Sequence, residues 1–324
     1  MKALMCRAYG PPESLSVEEV AVPQPAANEV QIRVRAAGIN FPDSLIIQNL
    51  YQFKPPLPFS PGGELAGEIT AVGADVKNFA LGQAVIAFSG WGAFAEYAVV
   101  AQDRLMPMPE GVPYEVAGSF LITYGTCYHA LKDRAALAAG ETVLVLGAAG
   151  GIGLATMEIA KALGARVIAA ASSDAKLAVC RANGADDTIH YASEDLRARL
   201  KQLTGGRGVD VVCDPVGGAF SELALRSMAW RGRYLVVGFA DGQIPRIALN
   251  LLLLKGCAVL GVFWADFLRR EPGHAAADLQ ALAELYRSAR IRPLLSGRYT
   301  LEETPQALRS LMARQAHGKL VVLP

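Results

Sequence analysis

Few features of the sequence indicate an oxidising compartment, a charged polymer or a membrane. The five cysteines are scattered, odd in number and without a CxxC pair, which predicts reduced thiols packed as small apolar side chains. A formal net charge of +1 gives no general reason to expect nucleic acid or an anionic membrane as a partner. The best apolar run, Ile247–Leu254, is too short to cross a bilayer, and the N-terminus lacks a signal-peptide layout. We therefore expect a cytoplasmic protein with no membrane insertion.

Clustered metal ligands and hydrolytic triads are also missing from the sequence. The histidines are dispersed and show no HxxxH spacing, and there is no run of closely spaced cysteines. We find no Ser-His-Asp set and no obvious pair of carboxylates. The sequence therefore predicts no metal site.

The chain shows two different sequence patterns. Its 324 residues predict about two domains, and an apolar fraction of 52% requires a substantial core. Up to residue 119, short β-type runs alternate with Pro- and Gly-rich turns, which is typical of an antiparallel, barrel-like domain. From residue 120, strands alternate with helices. After residue 265 the texture changes again, and we expect the tail to return to the first domain.

The middle segment contains six strand candidates, the number that a complete dinucleotide-binding sheet requires. They are Thr142–Leu146, Arg166–Ala170, Thr188–Tyr191, Val209–Cys213, Tyr234–Val237 and Ala258–Val262. Helix candidates between them are Ala175–Ala182, Glu194–Leu203 and Phe220–Ala229. The predicted fold class is α/β, with one domain formed by residues 1–119 and 266–324 and the other by residues 120–265.

The stretch Thr142–Leu163, TVLVLGAAGGIGLATMEIAKAL, reads as a buried strand, a glycine turn and a helix. Glycine lets the backbone turn sharply and lets a ligand approach the N–H groups at the start of the helix. Gly151 and Gly153 fit the second and third glycines of GxGxxG if Ala149 stands at the first, an imperfect match. We interpret the turn as a pyrophosphate site formed by Ala149, Gly150, Gly151, Ile152 and Gly153. A glycine turn without a ligand is the alternative.

Six motifs follow one another along nearly the whole chain. They are Gly38-Ile-Asn40-Phe-Pro-Asp43, Pro61-Gly-Gly-Glu64-Leu-Ala-Gly67, Thr123-Tyr-Gly125-Thr, Ala148-Ala-Gly-Gly-Ile-Gly153, Asp210-Val-Val-Cys-Asp214-Pro-Val-Gly-Gly218 and Gly318-Lys319-Leu-Val. In this order they resemble the zinc-independent quinone oxidoreductase (zeta-crystallin-like) branch of the medium-chain dehydrogenase/reductase superfamily. The resemblance implies a GroES-like β-barrel catalytic domain, a Rossmann domain with a doubly wound parallel six-stranded sheet, and a cleft between them for a nicotinamide cofactor.

The resemblance also bears on catalytic zinc. In zinc-dependent members of the superfamily, a Cys ligand takes the place of Asn40 and a His takes the place of Gly63. Neither residue of this chain offers the thiolate or imidazole that catalytic zinc prefers. Polarisation of the substrate carbonyl must then come from hydrogen bonds or from the cofactor.

Several residues are candidates for that chemistry by resemblance. Asn40 can donate through its amide beside the nicotinamide, with a turn-forming role as the alternative. Tyr51 matches a position at the substrate or cofactor edge, with core packing as the alternative. Thr123 carries a hydroxyl where relatives contact the nicotinamide region, and a helix cap can coexist with that role. Asp43 and Glu64 are candidate proton relays, although structural hydrogen bonding of their loops is the more ordinary role.

The remaining cofactor contacts that the resemblance implies are Phe239, Phe263 and Lys319. Cofactor choice depends on the end of the second strand, where NAD-preferring proteins place an acidic residue. Here Ser172 and Ser173 stand at that point, and Lys176 follows in the next helix. Hydroxyls and an ammonium favour the 2′-phosphate of NADPH, and by resemblance Tyr191 lies near the same phosphate. We interpret the neighbouring Asp174 as a helix cap, and a solvated helix lysine is the alternative for Lys176.

The predicted function is NADPH-dependent hydride transfer to a quinone or a similar conjugated carbonyl. A 2-enoyl thioester or enone reductase is the nearest rival, because it uses the same apparatus with another acceptor. Some relatives are lens proteins or RNA binders, so a non-catalytic cofactor-binding protein is the alternative from another class. The near-zero net charge and the lack of an evident basic and aromatic stripe speak against nucleic acid.

Assembly can be predicted from the last strand candidate, Ala258–Val262, which follows the apolar stretch Leu249–Leu254. An exposed apolar edge strand favours pairing with another chain, and relatives dimerise through this edge. We therefore expect a homodimer. The alternative is that Leu251–Leu254 packs inside its own subunit.

Overall fold

The computed structural model describes residues 1–324, which divide into two compact units. The first unit comprises Met1–Thr123 and Leu295–Pro324, and the second comprises Tyr124–Leu294. Each unit has its own main sheet and its own apolar core.

The first unit is built on a mostly antiparallel sheet. The strands of this unit that precede the second unit are β1 (Lys2–Met5), β2 (Ser16–Glu19), β3 (Glu29–Ile39), β4 (Glu64–Val72), β5 (Ala84–Phe88), β6 (Tyr97–Ala101) and β7 (Leu105–Pro107). Strands β1 and β2 pair with each other in a separate two-stranded sheet. Alternation along β3 explains which face is buried, because Ile32 and Val34 lie in the core while Arg33 and Arg35 are exposed. The helices of this part are short: α1 (Phe41–Ile46), α2 (Tyr114–Ala117) and α3 (Leu121–Tyr128), which crosses the division between the units.

The second unit is built on a parallel six-stranded sheet, as predicted. Its strands are β8 (Thr142–Leu146), β9 (Arg166–Ala171), β10 (Asp187–His190), β11 (Val209–Asp214), β12 (Met228–Val236) and β13 (Ala258–Gly261). Their order is β10-β9-β8-β11-β12-β13, so that β8 is central and β13 lies at an edge. All five residues of β8 are buried, which accounts for its continuous apolar run.

Helices connect these strands. They are α4 (Gly151–Ala162), α5 (Asp174–Ala182), α6 (Leu196–Leu203), α7 (Phe220–Arg226), α8 (Asn250–Lys255), α9 (Trp264–Arg270) and α10 (Pro272–Arg287), and a π-helical segment, His129–Arg134, precedes β8. The helix predicted over Phe220–Ala229 is too long. Met228 instead begins β12, where it pairs with Val209 and is buried in the core. Tertiary pairing here overrides local helical pattern.

The chain returns to the first unit later than expected. The predicted boundary followed residue 265, whereas the second unit extends to Leu294. The reason is that α9 and α10 pack within it: the Phe267 ring stacks on His129, and His274 Nε2 lies 3.2 Å from Asp133. Beyond them come β14 (Leu295–Tyr299), α11 (Thr304–Met312) and β15 (Lys319–Val322), and β15 pairs with β3.

None of the cysteines forms a disulfide. Cys6, Cys127, Cys180 and Cys213 are buried, and Cys257 is half-buried. Burial raises the pKa of Cys180 to about 11 and that of Cys213 to about 12. No helix has the length and apolarity needed to cross a membrane.

Candidate functional site

The predicted glycine turn lies between β8 and α4. Gly147 adopts a positive φ of 59°, Gly150 is the N-cap of α4, and no side chain caps the helix. The N–H groups at the start of α4 therefore have no protein side chain as acceptor, which is the arrangement that binds phosphate. A Cβ on Gly153 would lie 2.4 Å from the carbonyl oxygen of Ala148. The third glycine of the fingerprint is thus required by close packing of the helix on the turn.

Ser172, Ser173 and Lys176 come together at the end of β9. Lys176 Nζ donates to Ser172 Oγ at 3.1 Å, while Ser173 Oγ accepts from the Lys176 backbone N–H at 3.4 Å. Ser173 is therefore the N-cap of α5, and the interpretation of Asp174 as the cap is wrong. Asp174 is the first residue of α5 and is exposed, where a carboxylate is favoured by the positive end of the helix.

Tyr191 is held next to Ser172, Ser173 and Lys176 by a backbone hydrogen bond to the end of β9. Its backbone N–H donates to Ala171 at 3.1 Å, immediately before Ser172. The Tyr191 ring packs on Phe220, with ring centroids 4.4 Å apart. Phe239 and Phe263 follow the ends of β12 and β13 and are 37% and 46% exposed, as residues beyond the carboxyl ends of parallel strands can be.

The Asp214 motif organises the loop after β11. The Asp214 carboxylate accepts the backbone N–H groups of Val216 at 2.7 Å and Gly217 at 2.8 Å, and it also accepts from the hydroxyls of Ser221 and Tyr234. Burial and the charge of Asp214 raise the pKa of Tyr234 well above its usual range. The motif therefore shapes a loop and leaves no free carboxylate for catalysis.

In the first unit, Lys319 and three other polar side chains form a buried cluster. The Lys319 ammonium donates to Asn40 Oδ1 at 2.7 Å, Thr123 Oγ1 at 2.9 Å and Glu64 Oε1 at 3.2 Å. All four residues are less than 7% exposed. We call this group the Lys319 cluster; it unites Asn40, Thr123 and Lys319, which lie in three separate motifs of the sequence.

Asn40 is more constrained in this cluster than the sequence suggested. Its amide Nδ2 donates to Glu64 Oε1 at 2.7 Å, and its Oδ1 accepts from Lys319 and from the Thr123 hydroxyl. The amide orientation is thereby fixed, and its strong donor contact is already made to protein. Gly38 gives Glu64 room, because a Cβ there would lie 2.3 Å from Glu64 Oε1.

Asp43 and Tyr51 lie beside the Lys319 cluster. The Asp43 carboxylate accepts the Asn40 backbone N–H at 2.7 Å and so caps α1. Burial raises the pKa of Asp43 to about 7, against the lowering effect of the hydrogen bond from Asn40. The Tyr51 ring packs on the core edge-to-face with Phe53, and burial raises its pKa. Asp43 therefore has a structural role as a cap of α1, and Tyr51 has one in core packing.

The Lys319 cluster does not fit a catalytic zinc ion. Gly63 has no side chain, and the Asn40 amide is a poor zinc ligand compared with thiolate or imidazole. The only carboxylate of the cluster, Glu64, already faces the positive charge of Lys319. A cation bound here would be repelled by that ammonium.

Glu64 has a more central place in this site than its sequence motif indicates. It accepts from Asn40, Lys319 and the backbone N–H of Ile122, the last at 2.9 Å, and so connects β4 to α3. A carboxylate inside the apolar motif Glu64-Leu-Ala-Gly67 was the available signal, since a buried acid needs a cationic partner.

Comparisons with known proteins agree with this architecture. Residues 26–110 match the alcohol dehydrogenase GroES-like domain family, and residues 151–283 match the zinc-binding dehydrogenase family. The chain is 35% identical to a quinone oxidoreductase of Pseudomonas aeruginosa, with 100% of this chain and 99% of the relative covered. It is also 35% identical to a quinone oxidoreductase-like protein 2 homolog of Nematostella vectensis, covering 99% and 88% respectively.

A solved structure extends the similarity to three dimensions. The Escherichia coli quinone oxidoreductase complexed with NADPH superposes with a TM-score of 0.92 at 30% identity, over 100% of both chains. Two matching domain families, full-length relatives above 30% identity and a shared six-stranded parallel sheet all point to one family. The chain belongs to the quinone oxidoreductase branch of the medium-chain dehydrogenase/reductase superfamily.

Proposed function

We propose that this protein transfers a hydride from NADPH to a quinone or a similar conjugated carbonyl, without catalytic zinc. The observation that carries the proposal is the pairing of an uncapped glycine turn at α4 with the Ser172 and Lys176 contact at the end of β9. The first suits a pyrophosphate and the second suits a 2′-phosphate. Relatives named quinone oxidoreductase, and one of them in complex with NADPH, support the same assignment.

When bound, NADPH supplies the hydride, so the protein needs to bind the cofactor, orient it and polarise the acceptor. We assign Ala149, Gly150, Gly151, Ile152 and Gly153 to the pyrophosphate, and Ser172, Ser173, Lys176 and Tyr191 to the adenosine 2′-phosphate. Phe239 and Phe263 are assigned apolar contacts with the cofactor.

The Lys319 cluster is assigned to the nicotinamide end of the cofactor by family resemblance. Asn40 and Thr123 would orient the nicotinamide ring, and Lys319 would hold both side chains in place through the hydrogen bonds that it donates to them. Tyr51 and Asp43 are assigned to the substrate edge. None of these roles requires a metal ion.

The test is one acceptor screen on a single purified sample. NADPH is mixed with a series of quinones, simple enones and enoyl thioesters, and loss of reduced-nicotinamide absorbance is followed; NADH is run in parallel. The proposal expects quinones to be reduced fastest and NADPH to be preferred. If enoyl thioesters are reduced much faster than every quinone, the enone reductase alternative replaces the assignment of the acceptor.

We also propose a homodimer formed through β13. This strand lies at the sheet edge and pairs only with β12 on its own chain. Leu253 and Leu254 are 79% and 71% exposed, whereas Leu251 of the same helix is buried. One face of α8 thus packs within its own unit, and the other leaves an apolar surface beside the edge strand, as surfaces for partners do.

A further inference from the structure

Two pairs of metal-binding side chains meet in the second unit, outside the residues assigned above. His129 and Asp133 lie one turn apart in the π-helical segment, and His274 and Asp278 lie one turn apart on α10. His129 Nδ1 lies 2.7 Å from Asp133 Oδ2, and His274 Nε2 lies 3.2 Å from Asp133 Oδ1 and 3.9 Å from Asp278 Oδ1. π-Helical turns are rare and occur frequently at functional sites.

One carboxylate of this group has a buried oxygen without a hydrogen-bond donor. Asp278 is only 8% exposed, and its Oδ2 has no hydrogen-bond partner. The neighbouring carboxylate of Asp133 cannot satisfy it, because two ionised carboxylates are both acceptors. Such a pair requires either a shared proton or a cation.

The spacing of the donor atoms suits a small divalent ion. Ligand atoms of His129, Asp133 and Asp278 all lie within 4.8 Å of one another. Imidazole nitrogens and carboxylate oxygens bound to zinc at about 2.0–2.2 Å in a tetrahedron lie about 3.3–3.6 Å apart. The contacts of 2.7 Å to Asp133 Oδ2, 3.2 Å to Asp133 Oδ1 and 3.9 Å to Asp278 Oδ1 are close to that value. Three of the ligands thus lie close enough to surround one ion, and His274 Nε2 lies beside the two aspartates as the fourth.

Neighbouring side chains hold both imidazoles in place. The Phe267 ring stacks on His129 with centroids 3.9 Å apart and contacts His274 edge-on at 5.3 Å. His274 Nδ1 lies 3.4 Å from Glu271, which leaves its Nε2 directed to the two aspartates. A carboxylate behind a ligating imidazole is the usual support of protein metal sites. The His274 side chain is 49% exposed, so solvent provides a route of entry.

We propose that His129, Asp133, Asp278 and His274 form a site for a divalent transition-metal ion, with Zn²⁺ as the best match. The ion would join the π-helical segment to α10 and is separate from the hydride transfer proposed above. Two histidines and two carboxylates match zinc and its neighbours in the series better than Mg²⁺ or Ca²⁺, which prefer oxygen ligands alone.

The test begins with the full chain treated with a chelator and then titrated with ZnSO₄ by calorimetry. We expect one Zn²⁺ per chain and a higher thermal unfolding midpoint with zinc than without. Asp278→Asn, which keeps the shape of the side chain, is expected to weaken binding by at least about tenfold and to abolish the thermal shift. His317→Gln, a histidine outside the cluster, is the matched control and is expected to behave as wild type.

A second variant covers the case in which Asp278→Asn fails to fold. His274 is half-exposed, so His274→Gln is expected to fold normally and to weaken zinc binding in the same direction. Anomalous scattering at the zinc edge from crystals then locates the ion. The proposal is overturned if the wild type takes up no zinc, if both variants bind as wild type does, or if the ion lies on cysteines. The aspartates would then share a proton.

Discussion

At the scale of single residues, the buried contact of Lys319 with Glu64 gives the sharpest test of the first unit. The pair is 3.2 Å apart, with side chains 4% and 0% exposed. Lys319→Met would leave Glu64 buried without its cation, which typically costs about 3–5 kcal/mol. Urea unfolding monitored by fluorescence measures the loss, and the double variant Lys319→Met/Glu64→Gln is expected to recover much of it.

The matched control is the surface pair of Arg35 with Glu68, 2.8 Å apart and more than one-third exposed on both sides. Arg35→Met is expected to cost less than about 1 kcal/mol, because solvent screens the charges. Equal losses for the buried and exposed pairs would contradict the interpretation of the Lys319 cluster.

Lys176 tests cofactor choice. A charge-assisted contact with a phosphate is worth about 1.5–3 kcal/mol, so Lys176→Ala should weaken NADPH binding roughly ten- to a hundredfold. NADH lacks the 2′-phosphate, and its binding should change little. Fluorescence titration with both cofactors measures this, with Lys201→Ala on the exposed face of α6 as control. Equal weakening for both cofactors would show that Lys176 does not face the 2′-phosphate.

Residue roles were predictable from the sequence only in part. The hydroxyls and the lysine after β9 follow from their distance to the glycine turn, since that distance is fixed by one strand and one helix. The commitment of the Asn40 amide to Glu64 was not predictable from spacing, because Glu64 lies on another strand. Side-chain hydrogen bonds depend on which polar groups burial forces together.

At the scale of elements, the glycine turn contains a matched pair of positions. A Cβ at Gly153 would approach the Ala148 backbone to 2.4 Å, whereas a Cβ at Gly150 would find its nearest atom at 3.4 Å. Gly153→Ala is therefore expected to destabilise the second unit by about 1–3 kcal/mol through forced backbone shifts. Gly150→Ala is expected to keep near-native stability in thermal unfolding. Comparable losses for the two variants would mean that close packing does not explain the fingerprint.

The cap of α1 gives a pH dependence. The pKa of Asp43 is raised to about 7, while an unfolded Asp ionises near 4. Between these values the folded chain holds the proton that the unfolded chain has released, so this group's contribution to stability falls as pH rises. Relative to Asp43→Asn, the wild type is expected to lose roughly 1–4 kcal/mol between pH 4 and pH 7. Urea unfolding at both pH values measures it; a pH-independent difference would be inconsistent with the raised pKa.

Most elements were predictable because their patterns are strong. The run Val143–Leu146 identified the central strand, since a strand covered on both faces must be apolar throughout. The early start of β12 was not predictable, because Met228 and Ala229 continue the pattern of α7 and only pairing with β11 makes them a strand. Local pattern fixes an element's type better than its ends.

At the scale of the whole molecule, the exposed leucines of α8 test the proposed assembly. Leu253→Asp/Leu254→Asp introduces charge into the exposed face of α8 and is expected to yield a 34.3 kDa species in light scattering. The wild type is expected at twice that mass. Leu81→Asp, at a leucine that is 65% exposed in the first unit, should leave the dimer intact. A wild type of 34.3 kDa at micromolar concentration would refute the homodimer.

The division of the chain shows where sequence texture fails at this scale. The change after residue 265 is real, since β13 has ended and helices follow. The sequence of a helix does not indicate which unit the helix packs against. Helix α10 packs in the second unit through contacts such as that between His274 and Asp133. Such contacts depend on packing between distant segments, which periodicity does not report.

The buried thiols have a consequence for an enzyme of this proposed chemistry. Quinones are electrophiles that alkylate thiolates, and a thiol reacts in proportion to its ionised fraction and its exposure. Raised pKa values at Cys180 and Cys213, and burial of Cys6 and Cys127, leave only half-buried Cys257 within reach, and burial raises its pKa too. The buried thiols are thereby expected to resist arylation by the proposed quinone substrate, and any adduct that forms on prolonged exposure should map to Cys257.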